Sequence, residues 1–167
     1  KLGYAAGVVL ARINKGSKKP TVIIGKDTRI SGYMLESALQ SGFISSGIDV
    51  NILGPLPTPG VAYLTKSYRG AFGVVISASH NIYLDNGIKI FMPNGEKLTK
   101  EIEKRVEKIL NQEMIATDDL ELGKALKFGE SGARYIEFCK STVPSNVKFT
   151  NLRIVLDCAH GACYKVS

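Results

Sequence analysis

The sequence predicts an α/β fold in which helices cover both faces of a mixed, mainly parallel sheet, giving three layers. Short apolar runs rich in Val and Ile alternate with longer segments whose apolar residues recur every three or four positions, as in βαβ units. Gly- or Pro-containing breaks separate most of these runs and mark the junctions between elements. With 167 residues and 44% hydrophobic residues, the chain is large enough to bury the core of one such domain.

The first part of the chain alternates helices with strands. Residues 2–13 carry apolar side chains on one side and predict a helix, and the β-branched run at residues 21–25 predicts a buried strand. Ser31 is a candidate N-cap of the next helix, which we expect to end at Gly47. Residues 50–53 predict the second strand.

A proline-rich segment separates the second strand from the third. Three prolines within residues 54–59 argue against helix or central strand, because proline lacks an N–H donor and has a fixed φ. We expect a stiff loop there, then a short helix at residues 61–68. Residues 73–77 and 87–91 predict the third and fourth strands, and Asp-Asn-Gly at residues 85–87 is typical of a turn with positive φ.

The last part of the chain has weaker signals. A helix with one apolar stripe starts at Thr99, and the polar residues 113–129 predict a surface connection. Ser131 is a candidate cap for a last helix, which Pro144 and its neighbours end. Residues 152–157 then predict a new buried strand.

The positive charge is scattered along the chain. Lys and Arg number 22 against 15 Asp and Glu, giving a net charge of +7. Lys15, Lys18 and Lys19 share a loop around Gly16, and the cations of residues 100–108 alternate with glutamates on a solvated helix face. No aromatic residues lie between these cations, which disfavours nucleic acid as a partner. No apolar run approaches the ~20 residues that span a membrane.

The cysteines and histidines do not suggest a zinc site. The chain has three cysteines, Cys139, Cys158 and Cys163, with no Cys-x-x-Cys pair, and only two histidines, His80 and His160. We expect free, buried thiols in a reducing cytoplasm.

Polar loops follow three of the predicted strands, and ligands of open α/β sheets bind beyond the carboxyl ends of the strands. The loop at residues 77–81 offers two hydroxyls, an imidazole and an amide, and Lys89 follows it. Such a run is also typical of a turn whose side chains bind backbone groups. A serine hydrolase is disfavoured because no Gly-x-Ser-x-Gly motif is present. In the first loop, Arg29 is either an ion-pair partner of Asp27 or an anion ligand.

The Ser-Ala-Ser-His-Asn sequence at residues 77–81, followed by Asp-Asn-Gly-Ile-Lys at residues 85–89, closely resembles the phosphoserine loop of the α-D-phosphohexomutases. Further segments resemble this family in the same order, at residues 25–32, 53–59, 134–137 and 155–159. The sequence of residues 77–81 and the Lys-Asp-Thr-Arg-Ile-Ser-Gly sequence of residues 26–32 resemble those of family members that act on glucosamine phosphates. They are less similar to those of members that act on mannose or glucose phosphates.

The resemblance implies a phosphoryl shuttle. Ser79 would carry the phosphoryl group, donate it to glucosamine 6-phosphate and recover the other phosphate from the sugar 1,6-bisphosphate, leaving glucosamine 1-phosphate. The resemblance further implies Mg²⁺ bound through the phosphate of Ser79, with its remaining ligands outside this chain. Lys89 would be the cation or general acid/base near the sugar hydroxyl, and His80 would support the phosphate loop or help transfer the proton. Arg29 and Asn81 would support the phosphate loop.

The resemblance also shapes the expected domain organisation. Residues 1–146 would form the family's α/β/α domain I without its first strand, and residues 147–167 would begin a second, similar domain. The chain starts at Lys1 rather than Met, so we expect an N-terminal fragment that is inactive by itself. Ile82 follows Asn81, where the family usually has Pro, so we expect a less rigid loop.

The resemblance leaves two alternatives to an enzyme that acts on glucosamine phosphates. One is a phosphomannomutase or phosphoglucomutase of the same family, and the other is a non-catalytic α/β module that binds phosphorylated ligands. For the favoured enzyme we expect a cytoplasmic location and a place in UDP-N-acetylglucosamine synthesis for peptidoglycan. Its partner would be a phosphorylated hexosamine, with neither nucleic acid nor membrane, and a homodimer is compatible with the family.

Overall fold

A computed structural model describes residues 1–13 and 19–167. Its elements, in chain order, are α1 (Leu2–Ile13), β1 (Thr21–Lys26), α2 (Ser31–Ser45), β2 (Asp49–Pro55), α3 (Thr58–Ser67), β3 (Phe72–Ile76), β4 (Ile88–Phe91), α4 (Lys100–Leu110), a 3₁₀ turn (Asp119–Glu121), β5 (Ala125–Lys127) and α5 (Ser131–Ser141). The predicted loop around Gly16, with Lys15 and Lys18, lies outside the described residues.

The five strands form one sheet in the order β4-β3-β1-β2-β5. β1 runs parallel to both β2 and β3, β5 runs parallel to β2, and β4 is antiparallel to β3. Helices connect β1 to β2 and β2 to β3, and such crossovers make neighbouring strands parallel. A loop joins β3 to β4, so β4 returns in the opposite direction. The predicted mixed, mainly parallel sheet is confirmed.

Helices cover both faces of this sheet. Val22 and Ile24 of β1 belong to the core under α1, α2 and α4, whereas Ile23 belongs to the core under α3 and α5. This division follows from the alternation of side chains along a strand. The predicted three-layer α/β/α architecture is therefore confirmed.

The proline-rich segment is shorter than predicted. Gly54 and Pro55 are the last residues of β2, and Thr58 and Pro59 already belong to the first turn of α3. Proline is tolerated at both places, because it stands at a strand end and in a first helical turn, where N–H groups have no partner within the helix. The prediction that residues 54–59 form one loop was wrong at both ends.

Neither predicted serine cap is formed. Ser31 and Ser131 are the first residues of α2 and α5, and the preceding N-cap residues make no side-chain cap hydrogen bond. The Ser31 hydroxyl donates instead to Asn86 Oδ1. The buried Ser131 hydroxyl lies 3.1 Å from the Leu53 carbonyl oxygen, to which it donates, and so links α5 to β2. Contacts between distant segments therefore replace the local caps at both positions.

Two predictions for the last part of the chain were wrong. The connection at residues 113–129 contains the 3₁₀ turn and β5, which pairs with Val50–Ile52 of β2. Residues 152–157 form no strand, and Val155 is 97% exposed. An apolar run becomes a strand only where another strand offers hydrogen-bond partners, and within the described residues none lies beside this run.

Aromatic side chains join α3 to α5. The rings of Tyr63 and Phe138 stack 3.9 Å apart, and Tyr135 packs beside both. Burial, followed by the nearby thiols of Cys139 and Cys163, raises the pKa of Tyr135 to about 12. The three cysteines are free, as predicted, but Cys139 and Cys163 are exposed rather than buried.

No helix within residues 1–13 and 19–167 is long and apolar enough to cross a membrane.

Helices α1 and α2 approach each other at backbone distance. A Cβ placed on Gly42 of α2 would lie 2.7 Å from the Tyr4 nitrogen and 3.1 Å from the Gly3 Cα atom. Backbone atoms cannot move aside as a flexible side chain does. The absence of a side chain at Gly42 therefore allows α1 to pack on α2.

We predict that Gly42→Ala lowers the free energy of unfolding by about 1–3 kcal/mol in urea titration, because the added methyl group forces the two helices apart. In an unpacked helix the same change would stabilise by up to about 1 kcal/mol. Gly132→Ala is the matched control, since Gly132 also lies in a helix and a Cβ there would make only an ordinary contact, 3.5 Å from Val166 Cγ1. A Gly42→Ala protein as stable as the wild type would contradict the close approach.

Candidate active site

A cavity of about 650 Å³ opens where β1, β2 and β3 end. Parallel strands place their carboxyl ends, and the loops that follow them, at the same edge of the sheet. The first loop follows β1, the second precedes α3, and the third lies between β3 and β4. The lining residues come from these loops and from one later segment: Asp27, Thr28, Arg29, Ile30, Leu56, Pro57, Thr58, Ser77, Ser79, Asn81, Tyr83, His160, Gly161 and Ala162.

Ser79 occupies the turn of the third loop and lines the cavity. Its φ of +57° is in the left-handed region, which is unusual for a residue other than glycine. The Ser79 backbone N–H donates to the hydroxyl oxygen of the buried Ser77, 3.0 Å away. The predicted positive φ in the turn at residues 85–87 is wrong, and among residues 77–87 Ser79 adopts this conformation instead.

Lys89 reaches Ser79 from the neighbouring strand. β4 runs antiparallel to β3, with Lys89 opposite Val75, so the chain returns to the loop that it has just left. The Lys89 Nζ atom donates to the Ser79 hydroxyl oxygen at 2.7 Å. A lysine ammonium beside the hydroxyl favours negative charge at this oxygen and at any group attached to it.

Arg29 binds the backbone of the third loop. Its Nε atom donates to Asp27 Oδ2 at 2.9 Å, and its four remaining N–H groups point toward loop carbonyls. Nη1 donates to the oxygens of Ile82 and Asp85, and Nη2 to those of Ser79 and Asn81. The Asp85, Ser79 and Asn81 contacts measure 3.0, 3.2 and 2.9 Å.

This arrangement distinguishes the two interpretations of Arg29. A guanidinium has five N–H donors, and protein oxygens accept from all five here. The side chain is 9% exposed, and the Asp27 carboxylate balances its charge. Arg29 therefore holds the loop and Asp27 rather than offering free donors to a ligand anion.

The other two predicted site residues differ in their surroundings. Asn81 lines the cavity and its side-chain amide donates to Asp85 Oδ2 at 3.0 Å, which closes the loop internally. His80 is exposed and is not among the described residues that line the cavity.

Sequence reasoning missed three contributors to this site. Asp85 closes the loop with Asn81, Ser77 accepts the Ser79 N–H, and Thr28 donates from its hydroxyl to the His160 carbonyl oxygen. The last contact brings residues 160–162 to the cavity wall. The partners in the first two contacts lie within a few residues of each other in the sequence, so a local turn pattern could have indicated them. The third contact joins residues 132 positions apart, which no local pattern indicates.

The described part of the chain has no cluster of three or more His, Cys, Asp or Glu side chains suited to a metal ion. A cation at this site would therefore take its oxygen ligands from a group attached to Ser79 or from residues other than those described.

Comparisons with known proteins show the family to which the chain belongs. The profile of the family described as "Phosphoglucomutase/phosphomannomutase, alpha/beta/alpha domain I" matches residues 1–116. Phosphoglucosamine mutase from Paraburkholderia xenovorans (strain LB400) is 54% identical over 170 residues, covering 100% of this chain and 38% of the relative. Phosphoglucosamine mutase from Aeromonas hydrophila subsp. hydrophila is also 54% identical, over 167 residues, covering 100% of this chain and 37% of the relative.

A solved structure shows the same architecture. The putative phosphomannomutase from Thermus thermophilus superposes with a TM-score of 0.72 at 26% sequence identity, covering 86% of this chain and 31% of that one. The chain spans 37–38% of the length of the two curated relatives. Because the family profile matches well over half of its residues, the chain belongs to the phosphoglucomutase/phosphomannomutase family.

Proposed function

We propose that this chain is the phosphoryl-carrying domain of a mutase that interconverts glucosamine 6-phosphate and glucosamine 1-phosphate. The observation that carries the proposal is the exposed Ser79 hydroxyl, which lies 2.7 Å from the Lys89 ammonium on a loop held by Arg29. The relatives named phosphoglucosamine mutase, 54% identical over the whole chain, supply the substrate class.

In the first half-reaction, phosphorylated Ser79 transfers its phosphoryl group to the sugar. The O1 oxygen of glucosamine 6-phosphate forms a bond to phosphorus while the bond from phosphorus to Ser79 Oγ breaks. The proton of the sugar hydroxyl leaves O1, and one proton reaches Oγ, to which Lys89 already donates a hydrogen bond. The products are glucosamine 1,6-bisphosphate and free Ser79.

In the second half-reaction the bisphosphate presents its other phosphate to the same serine. Ser79 Oγ loses its proton and forms a bond to the phosphorus of the 6-phosphate, the bond from this phosphorus to the sugar O6 oxygen breaks, and O6 takes up a proton. Glucosamine 1-phosphate leaves, and Ser79 is phosphorylated again. A fixed serine suits this exchange because in-line transfer depends on alignment of the attacking and leaving oxygens.

The remaining predicted residues take supporting roles in this proposal. Asn81 keeps the loop closed through Asp85, and His80, exposed beside Ser79, is available to the phosphate or to the proton. Mg²⁺ would supply charge neutralisation at the phosphate of Ser79. Its other protein ligands would come from beyond these residues, since the described chain holds no ligand cluster.

We predict that Ser79→Ala abolishes phosphorylation of the full-length protein by glucosamine 1,6-bisphosphate, because the accepting oxygen is removed. Intact mass spectrometry measures the phosphate, and peptide mapping locates it. Ser77→Ala is the matched control: the Ser77 hydroxyl is buried and bound to the Ser79 N–H, so this variant still takes up phosphate, more slowly. Phosphate on Ser79→Ala, or none on the wild type, would exclude Ser79 as the carrier.

We predict that Arg29→Lys lowers kcat of the full-length protein by about 100-fold, since a lysine ammonium cannot bind all four loop carbonyls that converge on the guanidinium, and small displacements of a reacting group are costly. The freed loop should also be cut faster by chymotrypsin at Tyr83, which is 76% exposed. Arg134→Lys is the control, because Arg134 binds Ser67 on the surface of α5, away from the loop. Unchanged kcat and cleavage in Arg29→Lys would show that the loop keeps its shape without the guanidinium.

We predict that the 167-residue chain alone shows no turnover with glucosamine, mannose or glucose 6-phosphate. It covers 38% of a relative's length, and its described residues hold no metal-ligand cluster. A coupled assay on the purified chain checks this expectation, and robust turnover would contradict it. The same three sugars, tested on the full-length protein, separate a glucosamine mutase from a phosphomannomutase or phosphoglucomutase.

A further inference from the structure

A buried ion pair joins the end of β1 to α2, next to the candidate site. Lys26, the last residue of β1, is bound through Nζ to Glu36 Oε2 of α2 at 2.7 Å, and the two side chains are 4% and 12% exposed. The same Nζ atom lies 3.7 Å from the centre of the Tyr33 ring. Lysine is almost never buried to this degree unless it is paired.

The packing around the Lys26 side chain is close. A Cβ placed on Gly32 would lie 3.3 Å from Lys26 Cδ, so the absence of a side chain at Gly32 lets the first turn of α2 rest on the lysine stem. The lysine therefore contacts α2 at Tyr33 and at Glu36, and its stem passes beside Gly32.

These contacts connect the two elements that flank the loop carrying Arg29. The loop starts directly after Lys26 with Asp27 and ends where α2 begins at Ser31. The Ser31 hydroxyl donates to Asn86 Oδ1, so the start of α2 also touches the loop that carries Ser79. Fixing α2 against the end of β1 thus fixes both ends of the Arg29 loop.

We propose that Lys26 and Glu36 are positioning residues for phosphoryl transfer at Ser79: their ion pair sets the place of Arg29 and, through it, of the serine loop. This inference rests on the proposed function. It concerns placement, since neither residue lines the cavity in the described part of the chain.

Stability alone is a poor explanation for this pair. Glu36 Oε1 is buried without a hydrogen-bond partner among the described residues, which adds a desolvation penalty to that of the two charges. Replacing a buried ion pair by apolar residues of similar volume is often neutral or stabilising. The Lys26–Glu36 ion pair is better explained by a role in holding α2 in one position against β1.

The test compares Lys26→Met/Glu36→Leu with the wild type in the full-length protein. We expect a melting temperature close to that of the wild type, a kcat lower by about tenfold and an unchanged KM, because substrate still binds while Ser79 is less well aligned. The ³¹P NMR signal of phosphorylated Ser79 should broaden or shift. Glu137→Leu/Lys140→Met on α5 is the matched control, since this ion pair is 69% and 66% exposed, and it should leave all these measurements unchanged.

Gly32→Ala is the second variant, in case the double variant does not fold. The added methyl group pushes against the Lys26 stem while favouring the helix, so kcat should fall several-fold without loss of thermal stability. A folded double variant with wild-type kcat overturns the inference. So does wild-type kcat in Gly32→Ala if the double variant is unfolded.

Phosphorylation of the wild-type protein separates this inference from the proposed function. If the wild type is never phosphorylated, both the proposed function and this inference are wrong. If the wild type is phosphorylated but turns over no faster than the variants, only this inference is wrong.

Discussion

The guanidinium of Arg29 lies between the end of β1 and the loop that follows β3, and everything proposed for Ser79 depends on this position. Four loop carbonyls converge on it, and Asp27 accepts from its Nε atom. The loop is exposed from Ser79 to Asn86, and Asn81 closes it internally through Asp85. A left-handed serine costs roughly 1–3 kcal/mol, so its conformation persists only where surrounding contacts enforce it. The Arg29 contacts, together with the hydrogen bond from the Ser79 N–H to the Ser77 hydroxyl, hold this conformation.

The strand order explains why these groups meet. β1 lies beside β3 in the sheet, which brings the loops after these two strands together although about 50 residues separate them along the chain. The antiparallel β4 then carries Lys89 back beside Ser79. A fully parallel sheet would need a crossover helix between β3 and the next strand, and a lysine at the start of that strand would lie at the opposite edge of the sheet.

The sequence predicted those parts of the fold that local patterns encode. Runs of β-branched residues located β1 and β3, and the apolar stripe located α4, because buried elements repeat with the period of their backbone. β5 was missed because Ala-Leu-Lys has no strand pattern and is ordered by pairing with β2. The hydroxyls of Ser31 and Ser131 bind distant segments, so a rule about local caps failed for both. Similarly, the motif pointed to Ser79 and Lys89, whereas the carbonyl contacts of Arg29 depend on tertiary structure.

The most direct test is a single turnover in which the phosphoryl group on Ser79 carries a ³²P label. The labelled full-length protein is mixed with unlabelled glucosamine 6-phosphate, and the label is followed in the protein and in the sugar phosphates. We expect the label to leave Ser79 and to appear on the sugar, first in glucosamine 1,6-bisphosphate and then in glucosamine 1-phosphate, because the phosphoryl group moves from Ser79 Oγ to the sugar O1 oxygen. Ser79 then carries the unlabelled phosphoryl group from O6. Label that stays on the protein, or that is released only as inorganic phosphate, would contradict transfer from Ser79 to the sugar.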